Sequence, residues 1–376
     1  MTTKSTLDLS TVKGVQAYII DTPFTSTEIL PLSGGSANYV FRLILEKPYE
    51  GRTTLILKHA KPYAKNWPEF ALPPERQIYE VEALRRVRAL IPAEAIATVP
   101  QVHLVDEPMC AIIMDDSGPS SMTLKGFMIQ GKASVEMAAE IGDAIGEFIG
   151  TVHRWGKGNR EVCDFFEGNA RAKTLSAWMY YGRLVDTLTL KGLDVPPMLC
   201  DPPIEVSKED LEVLQKVADE TSEAVVGVRD TFVMGDFWPG NMMVMVDEKT
   251  GALKRIYVVD WEITRPGLLG MEVGQFCAEM HLLRRSHEAA CKETATLVLD
   301  HFMERYKKTC APDSKDCNRA IVQWGAHMAV WGPRTPWGGK ELTRQIVLEG
   351  VDLIVNSYKG GDSWLKKSFV GDMVTE

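Results

Sequence analysis

The sequence predicts an α+β protein with a small amino-terminal lobe, built on an antiparallel sheet and one helix, and a larger, mainly helical carboxy-terminal lobe. Three observations predict this. The chain has 376 residues, more than one hydrophobic core usually organises. Strand-like segments cluster before residue 116, and helical periodicity dominates beyond residue 120. We therefore expect lobes at 1–116 and 117–376, with a hinge at about 114–120.

Two strands and a helix carry the prediction for the small lobe. The segments "YVFRLIL" (39–45) and "TTLILK" (53–58) are rich in aliphatic and aromatic residues, and "EKPYEGR" between them suits a turn. A proline-rich loop follows, and then a helix from about Glu75 to Leu90. A further strand is expected at "MCAIIM" (109–114), before the linker-like "DDSGPSS". These elements form one small sheet with a helix beside it.

The larger lobe is predicted from helical spacing. In "SVEMAAEIGDAIGEFIGTVHRWG", apolar residues recur at helical intervals, and Ser134 is placed to cap the helix. The last hundred or so residues are also helical in pattern, except at "WGPRTPWGG" (331–339). Two short strands, "MMVMV" (242–246) and "RIYVVD" (255–260), flank a Thr-Gly turn and predict a hairpin.

Composition excludes several classes of protein. The net charge of −9 argues against a nucleic-acid-binding surface, which requires a basic face. No apolar run approaches the ~20 residues of a membrane span, and "MTTKSTLDLS" lacks the apolar core of a signal peptide. The seven cysteines form no CxxC pair and suggest reduced thiols. We expect a cytoplasmic protein whose partner is a small molecule, either monomeric or homodimeric.

The segment "VMGDFWPGNMMV" (233–244) carries the functional prediction. A lone D-x-x-x-x-N is more often a polar turn than a site. Here the predicted hairpin places Asn241 opposite residues 258–260, so that Asp260 is expected within reach of both Asn241 and Asp236. Phosphoryl transfer uses such a series: an aspartate orients the acceptor hydroxyl, then an asparagine and a later aspartate hold Mg²⁺. Glu262 is either a further metal ligand, directly or through water, or a surface carboxylate.

A nucleotide-binding lobe must also supply a lysine on a strand and a glutamate on a helix. Lys58 ends an otherwise apolar strand, although a lysine there often only reaches towards water. Glu80 shares a helix face with Ala83, Leu84 and Val87 and therefore needs a buried partner, for which Lys58 is the candidate. Glu82 faces arginines and is expected to form an ordinary exposed pair.

Two further segments are candidates for nucleotide contacts. In "LSGGSANYVFRL", Gly34 and Gly35 enter the first strand of the hairpin, where exposed backbone N–H groups approach phosphates. Ser36 belongs to the same loop, and Asn38 either braces it or faces the nucleotide. The candidate hinge contacts to adenine come from the backbone of Met114, Asp115 and Asp116.

Together, "MGDFWPGNMMV" and "VVDWEITRPG" resemble the aminoglycoside phosphotransferase and choline kinase-like superfamily, including fungal small-molecule kinases of this group. The D-W-E at 260–262 is similar to the D-x-E of methylthioribose kinases. The resemblance is specific over about residues 30–116 and 230–285. It implies a bilobal protein-kinase-like fold, MgATP, Asp236 as catalytic base, Asn241 and Asp260 as metal ligands, and Lys58 on the α/β-phosphates. Met234 and Glu272 depart from the histidine and aspartate that are usual in the family.

The resemblance does not identify the molecule that accepts the phosphoryl group, since members of the family phosphorylate sugars, choline, aminoglycosides and indolealkylamines. Candidate acceptor residues are aromatic or cationic side chains that suit an organic cation or an indole, although aromatic residues at such positions more often serve helix packing: Trp238, His327, Trp331, Arg334 and Trp337. The preferred hypothesis is that the protein is an ATP- and Mg²⁺-dependent small-molecule kinase. Two alternatives stay open: a non-catalytic kinase-fold protein that binds a nucleotide or metabolite, and a protein kinase, which lacks support because no A-P-E follows Asp260.

Overall fold

The computed structural model describes residues 7–192 and 194–368, which form two compact units. The first contains the residues up to Glu94, Thr98–Ser121 and Ile256–Glu262. The second contains Ala95–Ala97, Met122–Arg255 and the residues from Ile263 onward. The short segment Ile256–Glu262 therefore belongs to the first unit although it lies far from it in sequence.

The elements of the first unit, including one strand that the unit boundary divides (β6), are α1 (Val12–Ile19), β1 (Ser26–Pro31), β2 (Tyr39–Tyr49), β3 (Arg52–His59), β4 (Tyr63–Ala64), β5 (Trp67–Ala71), α2 (Arg76–Leu90), β6 (Ala97–Thr98), β7 (Val102–Asp106) and β8 (Ala111–Asp115). Five of the strands form an antiparallel sheet with the order β1-β2-β3-β8-β7. The predicted antiparallel sheet and its helix are confirmed.

The central position of strand β3 in the sheet explains why its apolar residues are consecutive rather than alternating with polar ones. Leu55 and Leu57 face the core that α1 covers, while Ile56 and Lys58 alternate with them. Residues 55–59 are nevertheless all buried, so both faces of this central strand are covered. Lys58 lies between Val40 on β2 and Ile112 on β8 in the ladder. The lysine is thus held at the centre of the sheet.

Two parts of the first unit differ from the predictions. Helix α1 and the sheet strands β1 and β7 were not predicted. Thr11 caps α1 by accepting a hydrogen bond from the Gly14 N–H at 3.1 Å. The predicted loop after β3 contains the small hairpin β4–β5, in which the rings of Trp67 and Phe70 stack with their centroids 5.2 Å apart. Prolines in this segment concealed the strands, because proline is rare inside sheets.

The second unit is mainly helical, as predicted. Its elements, including one strand that the unit boundary divides (β12), are β9 (Met122–Thr123), α3 (Leu124–Ile129), α4 (Val135–Gly156), α5 (Arg160–Phe166), α6 (Ala170–Tyr180), α7 (Leu184–Leu188), α8 (Lys208–Gly227), β10 (Phe232–Val233), β11 (Met242–Val246), β12 (Leu253–Val258), β13 (Arg265–Pro266), α9 (Leu269–Ser286), α10 (Glu288–Cys310), α11 (Ser314–Val330) and α12 (Lys340–Leu365). Across the described ranges, none of the helices combines the length and the apolar character needed to cross a membrane.

Helix α4 packs closely against α10 because glycines on its inner face leave room for the neighbouring backbone. Ser134 caps α4 as predicted, accepting a hydrogen bond from the Met137 N–H at 3.2 Å. A β-carbon placed on Gly146 would lie 2.6 Å from the Phe302 carbonyl oxygen and 3.0 Å from Arg305 Cβ. This approach leaves no space for a methyl group.

We expect Gly146→Ala to lower the free energy of unfolding by about 1–3 kcal/mol, because α4 and α10 must separate to admit the methyl group. Urea denaturation measures the change. Gly227→Ala is the matched control: it lies in the last turn of α8, and its β-carbon would meet no atom within 4 Å. The control should leave stability unchanged or raise it by up to about 1 kcal/mol. Equal effects of the two substitutions would contradict the packing account.

Candidate active site

In the first unit, the Lys58 ammonium is held between two carboxylates. Lys58 Nζ lies 2.6 Å from Glu80 Oε1 and 2.7 Å from Asp260 Oδ1. Lys58 and Glu80 are almost completely buried, whereas Asp260 is partly exposed. The predicted Lys58–Glu80 pair is therefore present, and Glu82 instead pairs with Arg86 at 2.7 Å on the outer face of α2. The helix face that carries Ala83, Leu84 and Val87 explains why Glu80, rather than Glu82, points inward.

Burial and charge oppose each other at this pair. Burial alone would lower the pKa of Lys58, but the carboxylates of Asp260, Glu80 and Glu262 raise it above its ordinary value, so the lysine is protonated. Burial raises the pKa of Glu80 to about 7, although Lys58 counteracts this. The two shifts differ in origin: the lysine responds mainly to its carboxylates, and Glu80 to the loss of water. We conclude that the ammonium is the fixed charge around which the acidic groups are arranged.

Glu262 is part of a second buried set of contacts. Its Oε2 accepts hydrogen bonds from Arg76 Nε at 2.8 Å and from Asn38 Nδ2 at 2.7 Å. Arg76 also donates to Asn38 Oδ1 at 2.8 Å. Asn38 thus braces the segment after the glycine loop, which is one of its two predicted roles. Glu262 is buried by these contacts and is not the surface carboxylate that its spacing alone left open.

The acidic groups of the first unit match the ligand chemistry of Mg²⁺. Carboxylate oxygens of Glu80, Asp260 and Glu262 lie within 4.8 Å of one another. Two cations, Lys58 and Arg76, contact these three acidic side chains directly. Hard carboxylate oxygens of this kind suit Mg²⁺ bound together with phosphate oxygens. Asp260 is the most accessible of the three and adopts φ +68°, two residues beyond the end of β12 rather than at the strand end as predicted.

The remaining predicted nucleotide contacts all lie in the first unit. Gly34, Gly35 and Ser36 are exposed, and Gly34 has φ +123°, a conformation that suits glycine. At the predicted hinge, Arg52 Nε lies 2.5 Å from Asp115 Oδ1, and Arg42 Nε lies 2.6 Å from Asp116 Oδ2. Both acidic side chains therefore form ion pairs with arginines.

Backbone pairing also occupies part of the predicted hinge. Met114 pairs with Ile56 on β3 and with Val102 on β7. The Asp115 N–H donates to the Gln101 carbonyl at 2.9 Å. Burial alone would raise the pKa of Asp115, but hydrogen bonds from His103 and Gln101 and the charge of Arg52 lower it. The Asp115 side chain thus stabilises the sheet. A contact to adenine would depend on backbone groups that are not hydrogen-bonded within the sheet.

In the second unit, three side chains fix the carboxylate of Asp236. Gln275 Nε2 donates to Asp236 Oδ1 at 2.7 Å, and Asn241 Nδ2 donates to Oδ2 at 3.0 Å. The indole N–H of Trp238 donates to the same Oδ2 at 3.2 Å. Asn241 also bonds the Asp236 carbonyl at 3.0 Å, closing the loop on itself. Gln275 was missed in the sequence, although its position three residues after Glu272 places both on one face of a helix.

Glu272 anchors the backbone of this loop. Its two carboxylate oxygens accept hydrogen bonds from the N–H groups of Met234 and Gly235, at 3.0 and 2.6 Å. His153 Nε2 lies 2.9 Å from Glu272 Oε2 and Nδ1 lies 2.8 Å from the Tyr306 hydroxyl. Gly235 has φ +101°, and a side chain there would collide with Arg265. A glutamate thus supports the loop at the position where aspartate is usual in the resembling family.

The candidate acceptor residues, all in the second unit, divide into two groups. Trp238, Trp337 and His327 are connected through Lys125 and Glu279: Lys125 Nζ lies 5.2 and 3.9 Å from the ring centres of Trp238 and Trp337, and His327 lies 2.8 Å from Glu279. Neither Lys125 nor Glu279 was singled out from the sequence, because a lysine and a glutamate on separate helices carry no spacing signal.

The other two candidates have different side-chain partners, although Tyr180 lies beside both Trp331 and His327, with ring centres 6.4 and 6.0 Å away. Arg334 Nε lies 2.8 Å from Asp194, and its Nη1 donates to Thr187. Trp331 lies beside Tyr180, with ring centres 6.4 Å apart, and its ring is 5.5 Å from the Arg183 guanidinium. The guanidinium of Arg334 is thus engaged by Asp194 rather than by the Lys125–Glu279 group.

Residues 28–306 match the profile of a family described as the phosphotransferase enzyme family. The chain is 30% identical over 361 residues to 4-hydroxytryptamine kinase of Psilocybe cyanescens, covering 92% of this chain and 93% of that protein. It is 23% identical over 324 residues to methylthioribose kinase of Bacillus cereus, covering 78% and 71% of the two chains. A gentamicin complex of APH(2")-IIa aligns over 93% of this chain and 96% of its own, with 14% identity and a TM-score of 0.46.

We expect Glu272→Ala to lower the free energy of unfolding by about 3 kcal/mol, because two backbone N–H groups and His153 lose their buried partner. Chemical denaturation measures the loss. Glu293→Ala, at an exposed position of α10, is the control and should change stability by less than about 0.5 kcal/mol. Indistinguishable losses in the two variants would show that Glu272 does not anchor the loop.

Proposed function

The chain belongs to the phosphotransferase enzyme family, and we propose that this small-molecule kinase transfers the γ-phosphoryl group of ATP to a hydroxyl of a small metabolite in an Mg²⁺-dependent reaction. The observation that carries the proposal is the Lys58 ammonium held at 2.6 and 2.7 Å by Glu80 and Asp260. Phosphoryl transfer requires a fixed lysine that contacts the phosphates and, beside it, a carboxylate that can hold a metal ion. The buried Lys58 and the partly exposed Asp260 suit these two roles.

On the nucleotide side, we assign Lys58 to the α- and β-phosphates and Glu80 to orienting the lysine. The ammonium is already positioned by its ion pair, so little side-chain entropy is lost when phosphate binds. The exposed backbone at Gly34 and Gly35 supplies N–H donors for phosphate oxygens. Asn38, which is bonded to Arg76, fixes the position of the segment that follows these glycines.

We assign Asn241 and Asp260 as the Mg²⁺ ligands, with Glu262 acting through water because Arg76 and Asn38 already occupy one of its oxygens. Mg²⁺, when bound, neutralises negative charge on the phosphates and on the transferring group. The amide nitrogen of Asn241 donates a hydrogen bond to Asp236. We therefore assign the amide oxygen, which can only accept, as the metal ligand. The protein's own part is to hold these oxygens in place.

Asp236 is assigned as the base that orients the acceptor hydroxyl and accepts its proton. Gln275, Asn241 and Trp238 donate hydrogen bonds to the carboxylate and fix its orientation. Glu272 holds the loop backbone, so Asp236 is placed by contacts on both of its sides. A positioned carboxylate of this kind contributes about 10²–10⁴-fold to the rate of proton-coupled steps.

The relatives indicate which acceptors to test first. The chain is similar to proteins named 4-hydroxytryptamine kinase and methylthioribose kinase. A hydroxylated indole and a thioether of ribose are therefore the first acceptor classes for a screen, alongside sugars and amino alcohols. Both classes offer the hydroxyl that Asp236 requires.

We expect Asp236→Asn to reduce phosphoryl transfer to the acceptor by about 100-fold or more while ATP binding is retained. Transfer of ³²P from [γ-³²P]ATP to a panel of hydroxylated metabolites, with ATP affinity measured in parallel, tests this. Asp230→Asn, an exposed aspartate before β10, is the control and should keep full activity. Full activity of the Asp236 variant would refute its assignment. ATP binding without transfer by the wild type would favour a non-catalytic binding protein.

A further inference from the structure

A buried carboxylate in the second unit is enclosed by two basic side chains. Glu279, on α9, is only 4% exposed. Its Oε2 lies 3.0 Å from Lys125 Nζ, and its Oε1 lies 2.8 Å from His327 Nε2. Burial alone would raise the pKa of Glu279, but hydrogen bonds and charge from His327 and Lys125 lower it, so the group is ionised. The carboxylate therefore requires cationic or donor partners.

The ammonium of Lys125 also lies against two indole rings. Its Nζ is 3.9 Å from the ring centre of Trp337 and 5.2 Å from that of Trp238. A carboxylate together with aromatic faces is the arrangement by which proteins bind organic cations. In this chain, the Lys125 ammonium occupies the position of such a cation.

This group lies next to the proposed catalytic base. The indole of Trp238 that lies near Lys125 donates to Asp236 at 3.2 Å. Gln275, which donates to Asp236 at 2.7 Å, precedes Glu279 by four residues on α9 and shares its face. The Lys125–Glu279 pair is therefore connected to Asp236 through the Trp238 indole and through the face of α9 that carries Gln275.

Unsatisfied polar atoms indicate what the group can bind. Within the described part of the chain, neither Trp337 Nε1 nor His327 Nδ1 has a hydrogen-bond partner, although both side chains are at least nine-tenths buried. Lys125 has three N–H donors, and its contact to Glu279 uses one. The indole N–H of Trp337 and the remaining N–H groups of Lys125 are donors, which favours a ligand with oxygen acceptors.

We propose that Lys125, Trp238, Glu279, His327 and Trp337 form the acceptor-recognition subsite, and that Lys125 makes it select an oxygen-bearing group over an ammonium group. A ligand ammonium would meet the Lys125 charge and would have to displace it from Glu279. A hydroxyl, carbonyl or carboxylate instead accepts from Lys125 and Trp337 without breaking the ion pair. The proposal rests on the proposed function, because it takes Asp236 as the position of the reacting hydroxyl.

The test compares three ligands that share an indole ring, chosen because two indoles border the subsite: tryptamine, indole-3-ethanol and indole-3-acetate. Isothermal titration without nucleotide measures their Kd for the wild type, Lys125→Met and Lys125→Arg. We expect the wild type to bind indole-3-ethanol at least about tenfold more tightly than tryptamine. Lys125→Met should remove or reverse this preference, and Lys125→Arg should retain it, because arginine keeps the charge.

Lys132→Met, an exposed lysine after α3, is the matched control and should bind all three ligands like the wild type. Tighter binding of indole-3-acetate than of indole-3-ethanol supports the proposal with an anionic acceptor, and the reverse order supports it with a neutral one. The proposal is overturned if the wild type prefers tryptamine, if Lys125→Met leaves the ratio unchanged, or if no variant binds any of the three ligands. Binding is measured without ATP, so a failure of phosphoryl transfer would be recognised separately.

Discussion

The ion pair of Lys58 with Glu80 and Asp260 is the constraint on which the first unit depends. A lysine at the centre of a sheet is costly to bury, and the cost is offset only because two carboxylates meet its ammonium at 2.6 and 2.7 Å. Satisfying it requires α2 to present Glu80 and the segment Ile256–Glu262 to present Asp260. The same segment carries Glu262, whose contacts to Arg76 and Asn38 fix the helix and the glycine loop. Lys58 and Glu262 together thus connect a strand, a helix, a loop and a segment distant in sequence.

The second unit solves a different problem, which is to hold one carboxylate in one orientation. Asp236 lies in a short loop between strands, where backbone alone does not define a side chain. Glu272 fixes the loop from behind through two backbone N–H groups, and Gln275 and Trp238 fix the carboxylate itself. Helix α9 supplies both Glu272 and Gln275 and, one turn later, Glu279. A single rigid helix therefore positions the proposed base and the proposed acceptor contacts together.

Much of this was predictable from sequence. Segments rich in apolar residues predicted β2, β3 and β8, helical spacing predicted α4, and the helix face of Glu80 predicted its pairing with Lys58. The resemblance drawn from "MGDFWPGNMMV" and "VVDWEITRPG" is confirmed by the family match over residues 28–306. Helix α1, the hairpin β4–β5 and the contacts of Arg76, Gln275 and Lys125 were not predictable in this way. These depend on partners distant in sequence, and a charged residue on a helix has the same local signature whether it faces water or a buried carboxylate.

The proposed function makes one claim that a binding experiment can check: the charge cluster around Lys58 is a site for Mg²⁺ and nucleotide. The melting temperature with and without MgATP, for the wild type, Asp260→Ala and the exposed control Glu248→Ala, tests it most directly. A ligand at about a hundred times its Kd adds about 2.7 kcal/mol to the stability of the folded state. We predict a rise of a few degrees in the wild type and the control, and little or none in Asp260→Ala. No rise in the wild type, or an equal rise in all three proteins, would contradict the claim.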